Sequence, residues 1–153
     1  MSLTYKRLIK EYKKFNTIEG NISYKLHTID SSDIMFRTDI NIFYNKLEYK
    51  IKIYYSKFYP FDCPLKLEIN NNNIFNIYKK IILKNSELLN NCLCCESLLC
   101  KNNWNISKNI IDILKEIKKV IDYDQLYIKR KLINKIAEKY TNQHLDYLEQ
   151  YLL

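Results

Sequence analysis

Four short stretches in the first half of the chain alternate apolar and polar residues, and this period of two constrains the fold most strongly. Successive side chains of a β-strand point to opposite faces, so each stretch predicts a strand with one buried face. Successive short runs of this kind are typical of an antiparallel meander. The predicted strands span residues 23–29, 36–42, 47–55 and 65–69.

Helical periodicity flanks the predicted meander on both sides. Apolar residues recur three and four positions apart over residues 3–15, and their pattern predicts an amphipathic helix. A second such pattern over 110–121 predicts another helix, which we expect Asp122-Tyr-Asp124 to interrupt before helix resumes near Leu132. Residues 74–91 are expected to include a short helix. The four asparagines at 70–73 are expected to form a loop. The order of helix, meander, irregular cysteine-bearing segment and helices predicts an α+β domain.

The composition excludes several classes of protein. The 153 residues suit one domain, and no apolar run approaches the roughly 20 residues that cross a bilayer. With a single glycine, Gly20, the chain lacks the glycine-rich loops that hold nucleotides. We expect no cofactor. The net charge of +8 allows a polyanionic partner, but solubility and codon bias toward lysine are the favoured explanation.

Rare residue types gather at two places in the chain. Four of the five cysteines lie within Cys92-Leu-Cys-Cys-Glu-Ser-Leu-Leu-Cys100, and Trp104, the only tryptophan, follows. Both prolines lie in Tyr59-Pro-Phe-Asp-Cys-Pro64. An odd number of crowded cysteines favours free thiols in a reducing compartment, and a thiol is a candidate nucleophile. Four thiolates could instead bind zinc, but the spacing is unlike that of paired zinc ligands.

Four segments in this order resemble the ubiquitin-conjugating enzyme family. Arg7-Leu-Ile-Lys-Glu-Tyr12 resembles the first-helix pattern of that family, and Tyr59-Pro-Phe-Asp-Cys-Pro64 resembles its YPFxPP loop, with Cys63 replacing a proline. Cys95-Glu-Ser-Leu-Leu99 resembles its active-site run, and Trp104 with the helix after it completes the match. The resemblance covers residues 5–124 and implies one ubiquitin-conjugating-like domain over 1–153, with a helical extension from 125 to 153.

The resemblance implies an enzyme that carries ubiquitin as a cysteine thioester and transfers it to a lysine. Cys95 is the expected nucleophile and Cys94 the alternative, with Cys92 third. Asp122 and Asp124 fall where the family carries an acidic residue that orients the incoming lysine; a solvated turn that stops the helix is the competing interpretation.

The expected partners follow from the same resemblance. They are ubiquitin or a related modifier, an activating enzyme that docks on Lys6, Arg7 and Lys10, and a RING-type ligase that contacts Phe61 and Ile106. No membrane is expected. Trp104 is expected to be a structural anchor under the active-site loop.

The chain also departs from the family. The His-Pro-Asn that precedes the family's cysteine is absent, and Asn73, Asn85, Asn90 and Asn91 remain as candidates for its asparagine. This loss motivates a second hypothesis, an inactive binding module of the same fold. A basic nucleic-acid-binding protein is a third, disfavoured because the tyrosines fall on apolar stripes. The predicted location is the cytoplasm, with the nucleus as an alternative, or the cytoplasm of a host cell for a viral protein.

Overall fold

The computed structural model describes residues 2–18, 22–84 and 97–138, without the side chains of 16–18 and 82–84. Within these ranges, five strands form a single antiparallel sheet in sequence order. The predicted α+β fold, with an N-terminal helix, an antiparallel meander and a C-terminal helix, is confirmed. The elements are α1 (Leu3–Ile18), β1 (Ser23–Thr28), β2 (Phe36–Tyr44), β3 (Leu47–Tyr55), β4 (Lys66–Ile69), β5 (Asn72–Asn73), α2 (Ile74–Lys84) and α3 (Ile110–Ala137).

Two tight turns fix the register of the meander. Asn45 and Lys46 join β2 to β3 with φ angles of 49° and 65°, and Asn70 and Asn71 join β4 to β5 with φ angles of 51° and 63°. Two successive positive φ angles are the mark of a type I′ turn, and asparagine tolerates them better than most residues. The predicted loop over 70–73 is therefore partly wrong, because the turn returns Asn72–Asn73 to pair with β4.

The inner face of the sheet and all three helices share one hydrophobic core. From α1, Tyr12 stacks on Tyr24 of β1 with ring centroids 4.7 Å apart, and Tyr5 contacts Phe36 of β2. The meander and α1 therefore bury the faces that their periodicities predict. No helix in the described ranges combines the length and the apolar character needed to span a bilayer. The most buried core residues include Leu8, Phe15, Ile40, Ile51, Ile53, Ile74, Ile81, Ile113, Ile117 and Val120.

Helix α3 corrects the expected interruption at residues 122–124. It begins at a capping box, in which Asn109 accepts from the backbone and Asp112 reaches back to the amide of Asn109. It then continues for 28 residues without a break. Aspartate costs an interior helical position less than about 0.7 kcal/mol relative to alanine. The burial of Ile121 and Tyr127 on either side of this segment outweighs that cost.

Candidate functional site

The carboxylate of Glu11 joins three segments beneath the motif-bearing loops. Glu11 is only 8% exposed, and its Oε2 accepts hydrogen bonds from the Tyr59 hydroxyl at 2.8 Å and the Ile110 amide at 3.1 Å. Ile110 is the first residue of α3, where backbone amides lack partners within the helix. Burial and the adjacent Glu11 carboxylate raise the pKa of Tyr59 well above its usual range. The glutamate of the first-helix motif therefore ties α1 to the loop after β3 and to α3.

The three basic residues expected to dock an activating enzyme differ in their surroundings. Lys6 and Lys10 are exposed on α1. Arg7 is only partly exposed, because its guanidinium donates to Glu11 and to the carbonyl oxygens of Ile106 and Lys108. Lys6 and Lys10 therefore present their charges to solvent, whereas Arg7 links α1 to the segment that leads into α3.

Trp104 joins the two motif-bearing loops. Its indole Nε1 donates to the carbonyl of Pro60 at 2.8 Å, and its ring lies 5.8 Å from that of Tyr59. The side chain is 9% exposed, which agrees with the structural role expected for it. The YPFDCP loop and the segment after the cysteines, which lie about 40 residues apart in the sequence, are thus brought into contact.

Phe61 and Ile106 lie on the surface near this contact. Phe61 follows Pro60 and is 73% exposed, and Ile106 lies two residues after Trp104 and is 56% exposed. Exposed large apolar side chains are unfavourable in water unless a partner covers them, so both are suited to a contact with another protein. The exposure expected for Phe61 is confirmed, and the sequence alone did not decide that of Ile106.

A hydrogen-bonded turn that starts at Ser97 ends the cysteine-rich segment. Ser97 is fully buried, its Oγ accepts from the amide of Leu99 at 3.1 Å, and its carbonyl accepts from the amide of Cys100 at 3.0 Å and from Asn103 Nδ2 at 2.9 Å. Leu98 and Leu99 pack against the core. Both leucines belong to Cys95-Glu-Ser-Leu-Leu99, the run that resembles the family's active-site run.

The candidate nucleophiles precede this turn. Cys92, Cys94 and Cys95 lie outside the described residues, as do Asn85, Asn90 and Asn91. Asn73 is described, and its Oδ1 accepts from the amide of Phe75 and caps α2. Its side-chain oxygen therefore serves the helix start, which disfavours Asn73 as the replacement for the family's asparagine.

Two other thiols line a cavity of about 460 Å³ between the YPFDCP loop and the turn after Ser97. Cys63 is buried, Cys100 is partly exposed, and neither forms a disulfide. Phe61, Leu65 and Trp104 also line this cavity. Among the described residues, no group of three or more histidine, cysteine or acidic side chains is placed to hold a metal ion. Of the four cysteines in the zinc hypothesis, only Cys100 is described.

We expect Cys100 to react with iodoacetamide at least about tenfold faster than Cys63 in the folded protein, since the thiolate is the reactive form and needs access. Burial raises the pKa of the Cys63 thiol, so less of it is ionised at a given pH. Peptide mapping after timed alkylation measures both rates. In urea the two rates should converge, and equal rates in the native protein would contradict the difference in burial.

Asp122 and Asp124 lie on α3 and make different contacts. Asp122 is exposed and accepts from the Tyr44 hydroxyl at 3.0 Å and from Asn45 Nδ2 at 2.9 Å. Asp124 forms an ion pair with Lys80 of α2, with Nζ 2.8 Å from Oδ1. Neither carboxylate stops the helix, so the interpretation of this segment as a solvated turn is wrong. Among the described residues, the Glu116 carboxylate is linked to Ser97 of the cysteine region through the Tyr78 hydroxyl.

Comparison with known proteins gives one informative match. No protein-family model matches the chain, and no solved structure matches it. A curated protein of Acanthamoeba polyphaga mimivirus, named a probable ubiquitin-conjugating enzyme E2, is 25% identical over 95% of this chain and 88% of that protein. The chain therefore resembles a ubiquitin-conjugating enzyme over nearly its full length. The α+β order described above is compatible with that resemblance.

Proposed function

We propose that this chain is a ubiquitin-conjugating enzyme that carries ubiquitin, or a related modifier, as a thioester on Cys95. The observation that carries the proposal is the buried turn that starts at Ser97, two residues after Cys95. Its leucines pack on the core, and the nearby Trp104 is hydrogen-bonded to the YPFDCP loop. The matching motifs are thus in contact in three dimensions. The distant match to the mimivirus protein supports the same family.

The proposed reaction consists of two acyl transfers. The Cys95 thiolate attacks the thioester carbon at the carboxyl end of the modifier, and the thiolate of the activating enzyme leaves. A lysine amine of the substrate then attacks the new thioester, releases the Cys95 thiolate and forms an amide as the amine loses a proton. Both steps start from an activated acyl group, and a thiol is intrinsically nucleophilic even when only a few per cent is ionised. The chemistry therefore requires no cofactor.

In this proposal, an acidic side chain of α3 orients the incoming lysine. Asp122 is the candidate we favour, because the side chains that donate to its carboxylate, Tyr44 and Asn45, are neutral. The charge of Asp124 is already balanced by Lys80. A carboxylate held near the amine favours its approach and can accept its proton.

The proposed partner surfaces lie on α1 and on the motif-bearing loops. Lys6 and Lys10, with Arg7 beside them, would bind acidic groups of the activating enzyme. Phe61 and Ile106 would contact a RING-type ligase, since both are exposed next to the contact between Trp104 and Pro60. We place the protein in the cytoplasm as a single ubiquitin-conjugating-like domain.

A thioester assay tests this function. The purified chain is incubated with activating enzyme, ubiquitin and ATP, and the products are separated on gels with and without reductant. We expect a reductant-sensitive band that is heavier by one ubiquitin, because a thioester is cleaved by thiols and an amide is not. If no such band forms with folded protein and an activating enzyme that charges another conjugating enzyme, the proposed activity is refuted.

The absence of His-Pro-Asn favours a second function, an inactive binding module of the same fold. Helix α2 begins directly after β5 and extends to Lys84, and the side chain of Asn73 caps its start. A binding module would retain affinity for ubiquitin or a ligase while forming no thioester. The same gels, combined with a pull-down on immobilised ubiquitin, separate the two functions.

A further inference from the structure

A buried hydrogen-bonded chain connects the turn after the cysteines to two helices. The Tyr78 hydroxyl of α2 lies 3.3 Å from Ser97 Oγ and is hydrogen-bonded to the Glu116 carboxylate of α3. Tyr78 is 1% exposed and Ser97 is fully buried. Buried polar groups are costly unless they are paired, so the three side chains hold one another in place.

The Tyr78 hydroxyl is the donor at the centre of this chain. It is directed at the Glu116 carboxylate, which only accepts hydrogen bonds, and it is also placed to donate to Ser97 Oγ. Ser97 Oγ in addition accepts from the Leu99 amide. Burial and the neighbouring carboxylate raise the pKa of Tyr78 far above its usual range, so the phenol keeps its proton.

These contacts hold both ends of Ser97. Its side-chain oxygen is contacted by Tyr78, and its carbonyl accepts from the Cys100 amide and from Asn103. Ser97 is the described residue nearest in sequence to the proposed nucleophile, Cys95.

We propose that Tyr78 and Glu116 are positioning residues of the thioester site, an inference that rests on the proposed function. They act through Ser97, which they anchor to α2 and α3. Tyr78 does not contact the modifier in this scheme, because it is buried. In a chain without His-Pro-Asn, this anchor gives the turn that starts at Ser97 a rigid support, and tight support next to a reacting group is a requirement for efficient transfer.

The test compares Tyr78→Phe and Glu116→Gln with the control Tyr12→Phe. Tyr12 is also a buried tyrosine with a hydrogen bond, to the Tyr55 hydroxyl at 3.0 Å, but it does not touch the turn. We expect Tyr78→Phe to lower kcat for thioester formation about tenfold, the rate equivalent of one buried hydrogen bond, with KM for the charged activating enzyme unchanged. The control should lose similar stability and keep its kcat. A Tyr78→Phe variant that matches the control in kcat would overturn the inference.

Hydrogen exchange gives a second readout that needs no activity. In Tyr78→Phe, the amides of residues 97–104 should exchange about tenfold faster, because local opening no longer breaks the hydrogen bond to Tyr78. In Tyr12→Phe they should not change. Unchanged exchange in Tyr78→Phe overturns the anchor itself. Faster exchange with unchanged kcat overturns its catalytic role. A wild-type protein that forms no thioester refutes the proposed function and the positioning role with it, while exchange still decides whether Tyr78 anchors the turn.

Discussion

Replacing Cys95 with alanine should abolish the reductant-sensitive ubiquitin adduct. Alanine has no nucleophilic atom, and an activated acyl group cannot be retained as a thioester without a thiol. The expected effect is complete loss of the adduct on gels run without reductant. The substitution changes no residue of the turn that starts at Ser97 and no core residue of the described ranges. Circular dichroism and the unfolding midpoint of the variant check that it still folds.

Four further substitutions control for the crowding of thiols. Cys94→Ala and Cys92→Ala should keep the adduct, as should Cys63→Ala and Cys100→Ala, which alter thiols that line the nearby cavity. Loss of the adduct in Cys94→Ala with its retention in Cys95→Ala would assign the nucleophile to Cys94. An adduct that persists in Cys95→Ala, Cys94→Ala and Cys92→Ala alike would contradict the assignment of the active-site run.

Replacing Glu11 with alanine should destabilise the protein by at least about 2 kcal/mol, because it leaves two buried donors without an acceptor and each costs about 1–3 kcal/mol. The change leaves the Tyr59 hydroxyl and the Ile110 amide without their acceptor, and Arg7 without its carboxylate. Each buried polar group left unpaired adds to the loss. Urea unfolding, monitored by fluorescence of the single tryptophan, measures the change in the free energy of unfolding.

Two matched variants sharpen the Glu11 experiment. Glu48→Ala removes an exposed carboxylate of β3 and should change stability by no more than about 0.5 kcal/mol. Glu11→Gln keeps a side-chain oxygen that can accept from Ile110 or Tyr59. Its loss of stability should therefore fall between those of Glu11→Ala and Glu48→Ala. If Glu11→Ala unfolds at the same urea concentration as Glu48→Ala, the carboxylate does not join the three segments as described.

The sequence pointed to the exposed Phe61 and the buried Trp104 through rare residue types and family motifs, and the structure agrees on both. The assignment of the nucleophile in the cysteine-rich run stays a prediction, and the buried polar groups were missed. Glu11 was identified only as part of a motif, although it adjoins Leu8 and Tyr12 on the apolar face of α1, where a carboxylate needs partners. That position is the signal that sequence reasoning could have used.

The pairing of Tyr78 with Glu116 had no comparable signal. Tyr78 follows Ile74 by four residues and precedes Ile81 by three, so its periodicity predicts burial and nothing about its hydroxyl. Glu116 lies beside Ile117 on α3, and at that position the sequence predicts a charge exposed to solvent. Their contact joins residues 38 positions apart.

The sequence by itself determined strands β1 to β4, the buried face of the first helix and the α+β order, because the periods of two and 3.6 are local properties of the backbone. Only the tertiary structure decided that α3 continues through Asp122 and Asp124, since packing of Ile121 and Tyr127 outweighs a weak local propensity. It also decided the partners of Glu11, Tyr78 and Trp104. Those partners come from distant segments, and hydrogen bonds between them depend on positions in space that no local pattern encodes.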